Sequence, residues 1–251
     1  MKYFALFFFF LFSANVIFVN GQDSLPPYSK DRVVGFSIGF GTHIPGADMK
    51  NRYGSTLCFS LSGDYLTASN WAFSPEFIYF FGEKIKEDVL APYRSANNSI
   101  PGDDDQIADI FIRERCFWLG IMMGKHFPFG TTSRTGIKGM IGGGIFQHQI
   151  DFNDLRNSVG QVRAGRYVGY DRLTRGFSLK ETVTFKVMSS NKKLNYEIGL
   201  DAIQGFTSEV RAINFDTGLP TIKNRLDLMF GARIAWNISF FLASQSQTVY
   251  Y

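Results

Sequence analysis

Cysteine and histidine are scarce in this sequence, and neither sign of charge dominates it. The 251 residues include two cysteines and three histidines, and the formal net charge is +4. Two cysteines exclude a disulfide-stapled scaffold, and so few cysteine and histidine side chains leave little material for a structural zinc site. The small positive charge, without a clustered basic patch, does not indicate a nucleic-acid partner. We therefore expect no nucleic-acid partner, no metal and no cofactor.

Only one long apolar run occurs in the chain, and it lies at the beginning. Met1–Gly21 has a basic Lys2, an apolar centre, and small residues at Val19 and Gly21, where signal peptidase cleaves. It is predicted to be a signal peptide, followed by an N-terminal periplasmic segment over residues 22–32. The alternative is an uncleaved transmembrane helix, for which the run is slightly short. No later apolar run approaches the ~18 residues of a membrane helix, which leaves a soluble exported protein or a closed β-barrel.

What the chain has instead is alternation of apolar and polar residues with period two. Such alternation predicts strands with one apolar and one polar face. Most of the eight segments reach the roughly 9–11 residues that a tilted strand needs to cross a membrane, and bacterial barrels have even strand numbers. The fifth segment is rich in glycine, so its phase stays ambiguous. The predicted strands are Val33–Thr42, Ser55–Thr67, Trp71–Phe81, Ile110–Lys125, Gly136–Ile150, Phe177–Met188, Leu194–Phe206 and Arg225–Leu242.

The composition of the two faces distinguishes a membrane barrel from a soluble β-sandwich. One face is strongly aromatic, which suits contact with lipid, whereas the other carries mostly glycine, serine and scattered charges, which suits the narrow interior of a small barrel. Long and short connections also alternate, as in barrels with long outer loops and short periplasmic turns. We therefore predict an all-β fold, an eight-stranded antiparallel up-and-down β-barrel in the outer membrane over residues 33–242. The N-terminus would be periplasmic, the four long loops extracellular, and residues 243–251 a C-terminal tail.

Glu181 is an exception to this pattern, because it falls on the apolar face of the sixth predicted strand. A carboxylate that faces the middle of a bilayer is strongly unfavourable. Two arrangements remain open at this point. Either Glu181 lies near the outer interface of the membrane, or a β-bulge turns its side chain inward.

Four stretches of the sequence carry a family resemblance. They are GIMMGKHFPF (Gly120–Phe129), GYDRLTRGF (Gly169–Phe177), GLDAIQGFTSEVRAINFDTG (Gly199–Gly218) and RLDLMFGARIAW (Arg225–Trp236). In these stretches the chain resembles a largely uncharacterised family of small outer-membrane β-barrel proteins from Bacteroidota. The resemblance implies a barrel in the outer membrane. Some small barrels of these bacteria look like accessory parts of type IX secretion or gliding machinery, and the family brings no catalytic residues.

Six charged residues fall on the polar faces of the predicted strands, so we expect them inside the barrel. Because buried charges need partners, we predict one charged network across neighbouring strands, in which Glu197 and Asp201 face Arg225 or Arg233. Its expected role is to stabilise the closed barrel, with a gating role as the alternative. The six residues are Asp64, Glu197, Asp201, Arg225, Asp227 and Arg233.

The third long loop carries five arginines, and guanidinium groups suit bidentate contacts with phosphate. Two hypotheses follow: the loop binds lipopolysaccharide or a partner protein, or it folds on its own Asp–Arg pairs. In the second long loop, Asp103, Asp104 and Asp105 are interpreted as a solvated tip, because the spacing of a calcium loop is missing. The five arginines are Arg156, Arg163, Arg166, Arg172 and Arg175.

The histidines are the candidates for catalysis, because a lipid-modifying hydrolase needs a nucleophile and a base at the lipid interface. His43 opens the first outer loop, and His126 is expected to cap a periplasmic turn. His148 lies near the outer end of the fifth strand and is the residue to test as a base. No Gly-x-Ser-x-Gly motif accompanies it, so we predict no catalytic residues.

Cys58 and Cys116 are predicted to point inward on the second and fourth strands, which are not neighbours. A disulfide needs Cα atoms within roughly 7 Å of each other. We therefore expect two free, buried thiols.

Together these observations favour a non-enzymatic outer-membrane β-barrel. The predicted role is that of a structural or accessory subunit in a larger outer-membrane complex for secretion, gliding or assembly. The expected partners are outer-membrane lipid, lipopolysaccharide and other outer-membrane proteins. The alternatives are an interfacial lipid-modifying enzyme and a surface adhesin.

Overall fold

The chain forms a closed ring of eight antiparallel strands, in which each strand pairs with the next and the last pairs with the first. The computed structural model describes residues 32–129, 134–163, 166–188 and 195–242. The predicted signal peptide, residues 22–31 and the predicted C-terminal tail lie outside the described residues. The strands are β1 (Arg32–Ala47), β2 (Thr56–Leu66), β3 (Trp71–Gly82), β4 (Ile110–Pro128), β5 (Gly136–Asp154), β6 (Thr174–Met188), β7 (Asn195–Glu209) and β8 (Arg225–Leu242). The predicted eight-stranded antiparallel barrel is thus confirmed.

Long and short connections lie at opposite ends of the barrel. The connections β1–β2, β3–β4, β5–β6 and β7–β8 meet at what we call the loop end, and the other three lie at the turn end. The loop end also holds a short helix, α1 (Met49–Arg52), and a 3-10 helix (Ala91–Tyr93). Among the described residues, no helix has the length and apolar character that a membrane span requires.

Successive residues of the strands face alternately into and out of the barrel, as period-two patterning predicts. The structure also resolves the phase of β5, which the sequence leaves ambiguous. Ile137, Ile141 and Ile145 are exposed on the outside, whereas Lys138 and His148 are buried inside. The glycines that obscure this phase lie between the isoleucines, and the structure assigns the isoleucines to the outer face.

Glycines make room for two large side chains in the narrow interior. A Cβ atom on Gly231 would lie 2.3 Å from the ring of His43, and one on Gly120 would lie 2.6 Å from the ring of Trp118. Both rings are fully buried. At these positions glycine is needed because another residue approaches closely.

The four long connections fold together into a cap at the loop end. Backbone hydrogen bonds link the first connection to the second (Lys86 N to Arg52 O, 2.9 Å) and the second to the third (Asp103 N to Ser158 O, 2.7 Å). A bond from Phe215 N to a carbonyl of the third connection adds the fourth. The apolar side chains that the cap buries include Met49, Val89, Leu90, Ile100, Val159 and Val162. The loops therefore form one packed unit.

Candidate functional site

The barrel interior holds three groups of charged side chains, with the polar side chains hydrogen-bonded to them, at successive heights. The strand register orders them, because residues near 186 and 197 lie close to the turn end while residues near 207 and 225 lie close to the loop end. We call them the turn-end, central and loop-end clusters. The turn-end cluster consists of Asp64, Lys138, Lys186 and Glu197, the central cluster of His43, Glu76, Lys180, Asp201 and Arg233, and the loop-end cluster of Tyr53, His148, Thr207, Arg225 and Asp227.

The turn-end cluster is centred on the carboxylate of Glu197. Its Oε1 atom lies 2.8 Å from Nζ of Lys138 and 2.9 Å from Nζ of Lys186. Lys138 also lies 3.6 Å from Asp64, which accepts a 2.6 Å hydrogen bond from Ser37. A polar cavity of about 40 Å³ lies between this cluster and the central one, and it is large enough for a water molecule.

The central cluster crosses the lumen. Nη1 of Arg233 on β8 lies 2.6 Å from Oε1 of Glu76 on β3, and Lys180 on β6 contacts the other oxygen of that carboxylate. Nε of Arg233 lies 3.1 Å from Asp201, whose second oxygen lies 2.7 Å from Nε2 of His43. Each buried charge therefore has a partner of opposite sign, as burial requires.

The loop-end cluster is built around His148, which is fully buried. Its Nε2 atom lies 3.0 Å from Asp227, and its Nδ1 atom lies 3.1 Å from the hydroxyl of Tyr53. Burial raises the pKa of Tyr53 well above its usual range, so its hydroxyl stays protonated. A neutral imidazole with its proton on Nε2 fits both contacts, because Tyr53 then donates to Nδ1. Arg225 completes the cluster, with Nη2 3.0 Å from Asp227.

The six charged residues that we predicted inside the barrel all belong to these clusters, but they do not form one network. Asp201 and Arg233 meet as predicted. Glu197 pairs with two lysines, and neither Arg225 nor Arg233 is its partner. The sequence reasoning missed Glu76 and three lysines, although the residues at 178, 180, 182, 184 and 186 are all polar and lie on the inward face of β6. The polar residues of this alternating pattern would have predicted that Lys180 and Lys186 lie inside the barrel.

All three histidines lie inside the barrel. The sequence places His148 near the outer end of the fifth strand, as the base to test, and it does lie near the loop end of β5. Its side chain faces the lumen and is fully buried, however, so it does not face the lipid. His43 lies within β1, so it does not open a loop. His126 is buried near the turn end, where its Nε2 lies 2.8 Å from the carbonyl oxygen of Arg134.

Three of the five loop arginines bind acidic residues of the cap. Arg172 is buried and forms a bidentate pair with Asp216 at 2.6 and 2.8 Å, while its Nε lies 2.6 Å from Glu87. Arg163 pairs with Asp103 at 2.9 Å, and Arg156 lies 3.4 Å from Asp104. None of these acids lies in the third connection, because Glu87, Asp103 and Asp104 belong to the second and Asp216 to the fourth. The hypothesis that the loop folds on its own Asp–Arg pairs is therefore wrong for these three arginines.

The other two arginines take no part in these pairs. Arg166 is exposed on the cap, and its backbone N–H donates to the carbonyl of Arg163. Arg175 is exposed at the top of β6, where its Nε donates a 2.6 Å hydrogen bond to Gln147. The five arginines therefore do not form a single phosphate-binding patch.

Arg52 was not predicted as a functional residue, yet it ties the cap to the barrel. Its Nη2 lies 2.6 Å from Glu209, at the end of β7, and its Nε lies 2.7 Å from Glu87. Glu87 thus bridges Arg52 and Arg172. Burial alone would raise the pKa of Glu87, but the two guanidinium groups outweigh burial and hold this pKa below its usual value.

The run of aspartates in the second long loop is engaged by the neighbouring loop. Asp103 and Asp104 pair with arginines of the third connection, as described above. Within the described ranges, no group of three or more histidine, cysteine or acidic side chains is arranged to hold a metal ion.

Cys58 and Cys116 are free and buried, as predicted. They lie on β2 and β4, and each is paired in register with Phe80 on the strand between them. Two strand spacings of about 4.8 Å separate their backbones, which is too far for a disulfide.

The outside of the barrel carries a continuous apolar belt. Its side chains are exposed, with Leu200 at 68% and Ile121 at 67%. Large aromatic and aliphatic residues from all eight strands contribute to it. Members include Phe36, Phe40, Leu57, Phe73, Leu119, Ile121, Ile141, Phe177, Val183, Ile198, Leu200, Ile234 and Trp236.

Glu181 faces outward in the middle of this belt. It lies midway along β6 between Phe177 and Phe185, and its cross-strand neighbours are Ile141 on β5 and Ala202 on β7. The pairing on both sides of β6 continues without interruption, so there is no β-bulge at this position. Of the two arrangements that the sequence left open, the inward turn at a β-bulge is therefore wrong. Within the described part of the chain, the carboxylate forms no ion pair.

No protein-family model and no curated protein matches this sequence. The fold is similar to that of Ail, the attachment invasion locus protein of Yersinia pestis, with 10% sequence identity and a TM-score of 0.44 over 82% of this chain and 99% of that one. It is also similar to Neisserial surface protein A (9% identity, TM-score 0.40, 81% and 96% covered) and to OprG from Pseudomonas aeruginosa (12%, 0.34, 83% and 95%). At these identities the likeness concerns the fold alone, and the resemblance to a Bacteroidota family stays a prediction.

Proposed function

We propose that this chain spans the outer membrane and serves, without catalysing a reaction, as an accessory subunit of a larger outer-membrane complex for secretion, gliding or assembly. The membrane location is supported by the distribution of polarity. The outer face exposes the apolar belt, whereas Lys180 and Asp227 are fully buried inside. A contiguous apolar surface of this extent is unfavourable in water, while hydrocarbon accommodates it and requires the closed backbone pairing that the ring supplies.

The proposed orientation follows from the two ends of the barrel. Outer-membrane barrels have short periplasmic turns and longer extracellular loops. The turn end would therefore face the periplasm, and the cap would lie outside the cell.

Glu181 is the observation that carries the proposed role as a subunit. In an isolated barrel its carboxylate would face hydrocarbon, which is strongly unfavourable for a charge. A neighbouring transmembrane segment that presents a lysine, arginine or amide would supply the missing donor. A partner backbone has room to approach here, because Ala202 is small and a Cβ on Gly139, beside Ile141, would meet nothing within 4 Å.

The positions of the histidines support this role over the lipid-modifying alternative. A lipid-modifying enzyme needs its base at the lipid interface. All three histidines face the lumen and are buried.

The experiment compares complexes captured from native outer membranes. Tagged wild-type protein, Glu181→Leu and the control Ile121→Leu, which changes an exposed belt residue on β4, are extracted in mild detergent and identified by mass spectrometry. We expect a stoichiometric membrane partner with the wild type and the control, and its loss with Glu181→Leu. A wild-type barrel without a partner would contradict the proposal. Retention of the partner by Glu181→Leu, with loss after cap substitutions, would favour the adhesin instead.

A further inference from the structure

A groove of about 500 Å³ lies on the outer wall of the barrel at the loop end of β2, β3 and β4. Its floor is apolar and is formed by Leu57, Tyr79 and Phe81. Leu57, Phe81 and Arg115 are paired in register and form one row across the three strands. The groove therefore lies where the apolar belt ends and the first outward-facing charges begin.

Three cationic side chains, Lys84, Arg113 and Arg115, line the groove beside this floor. The side chain of Arg113 is 46% exposed and that of Arg115 is 55% exposed. Lys84 is also exposed and makes no ion pair with any described residue. These cations differ from Arg172, whose guanidinium is enclosed by the carboxylates of the cap.

Three carboxylates lie near the cations and do not neutralise them fully. One of them, Glu114, lines the groove but is buried and faces the lumen. Oε1 of Glu83 lies 3.8 Å from Nε of Arg113, which is too far for a hydrogen bond, and the Glu83 side chain is 80% exposed. Asp151 pairs with Arg115 at 2.7 Å. Exposed ion pairs of this kind are weak, so a stronger anionic ligand competes with them. Lys84 adds a positive charge that Glu83 and Asp151 leave unmatched.

We propose that this groove binds a phosphate-bearing lipid of the outer leaflet, with the phosphate on Lys84, Arg113 and Arg115 and an acyl chain along Leu57, Tyr79 and Phe81. The groove offers complementary chemistry to both parts of such a lipid, at matching heights. Guanidinium groups bind phosphate in a bidentate manner, and the aromatic floor lies directly below them, where hydrocarbon would begin. The phenol of Tyr79 gives that floor a polar edge, as aromatic residues do at membrane interfaces. The inference rests on the proposed membrane location but not on the accessory role.

The test measures lipid binding by purified protein in detergent micelles, using native mass spectrometry. The probes are bis-phosphorylated lipid A, the same lipid without phosphate, and inorganic phosphate alone. The variant is Lys84→Gln/Arg113→Gln/Arg115→Gln. The matched control is Arg156→Gln/Arg163→Gln/Arg166→Gln, which removes the same number of cations from the third connection.

We expect the groove variant to lose at least about tenfold in affinity for lipid A, because each charged hydrogen bond contributes substantially. The control should bind as the wild type does, and removal of the lipid phosphate should weaken wild-type binding to the level of the groove variant. Equal binding by the wild type and the groove variant would overturn the inference. Loss of lipid A binding in the control variant alone would overturn it as well. So would competition with lipid A by inorganic phosphate at concentrations comparable to those of the lipid.

Two further measurements keep a negative result interpretable. If the triple groove variant fails to fold, the exposed single variants Lys84→Gln and Arg113→Gln carry the same comparison, with an expected loss of about threefold each. Insertion of the wild type into lipid vesicles is measured in parallel. Wild-type insertion without selective lipid A binding would overturn the groove and leave the membrane location intact.

Discussion

Nη1 of Arg233 lies 2.6 Å from Oε1 of Glu76, although β8 and β3 are separated in the ring by β1 and β2. Lys180 reaches the same carboxylate from β6. One acidic side chain thus connects three strands that share no backbone hydrogen bonds with each other. The central cluster braces the barrel across its lumen, in addition to the pairing around its circumference.

Glu76→Gln is expected to lower the free energy of unfolding by roughly 3–5 kcal/mol, because it leaves the charges of Lys180 and Arg233 without their shared partner. Urea titration in lipid vesicles, followed by tryptophan fluorescence, measures the change. Glu83→Gln is the control, since that carboxylate is 80% exposed and only loosely paired. If both variants unfold at the same urea concentration as the wild type, the central cluster does not brace the barrel.

Glu181→Leu is expected to stabilise the isolated barrel, whereas Glu76→Gln destabilises it. It removes a charge from the lipid-facing belt, so the free energy of unfolding in vesicles should rise by up to ~2 kcal/mol. The matched control is Glu197→Leu, the same substitution inside the barrel, which leaves Lys138 and Lys186 without their carboxylate and should destabilise the fold. A decrease for both variants would contradict the outward position of Glu181.

Acid should loosen the cap before it unfolds the barrel. Burial raises the pKa of Glu87, but Arg52 and Arg172 outweigh burial, so the folded pKa lies below the unfolded value. The carboxylate therefore stabilises the cap above the unfolded pKa of about 4.3, and this contribution is lost as the pH falls through the folded pKa. Pepsin cleavage of the cap, normalised to an unfolded substrate, should accelerate on lowering the pH from about 4 to about 2.

A Glu87→Gln variant separates this effect from other titrations. It lacks the titrating carboxylate, so its cap should already be cleaved faster near pH 4 and should show a smaller further increase on acidification. An unchanged pH dependence would mean that Glu87 does not govern the opening of the cap.

The fold was predictable because alternation with period two directly records which residues face inward. A phenylalanine at position 40 between two glycines, for example, identifies both faces of β1. The rule fails in β5, where Gly142, Gly143 and Gly144 have no side chains to indicate a face. That gap hid the inward direction of Lys138 and His148.

The site was only partly predictable, for a geometric reason. Asp201 and Arg233 were expected to meet because β7 and β8 are consecutive in the chain. The contact between Glu76 and Lys180 joins β3 and β6, and it depends on the closure and stagger of the whole barrel. Residue spacing along single strands contains no information about which side chains meet across the lumen.

The two cysteines provide the last prediction, which concerns the barrel register itself. Cys58 on β2 and Cys116 on β4 lie on either side of Phe80 on β3, and both are buried. Neither should react with a membrane-permeable maleimide in the folded protein, and both should react after denaturation in urea, as whole-protein mass spectrometry would show. Because about two strand spacings separate them, oxidation should not join them, and the unfolded mass should be the same with and without reductant. Copper-catalysed oxidation of the folded barrel provides the decisive test. If it yields an intramolecular disulfide, β3 does not lie between β2 and β4 in this register.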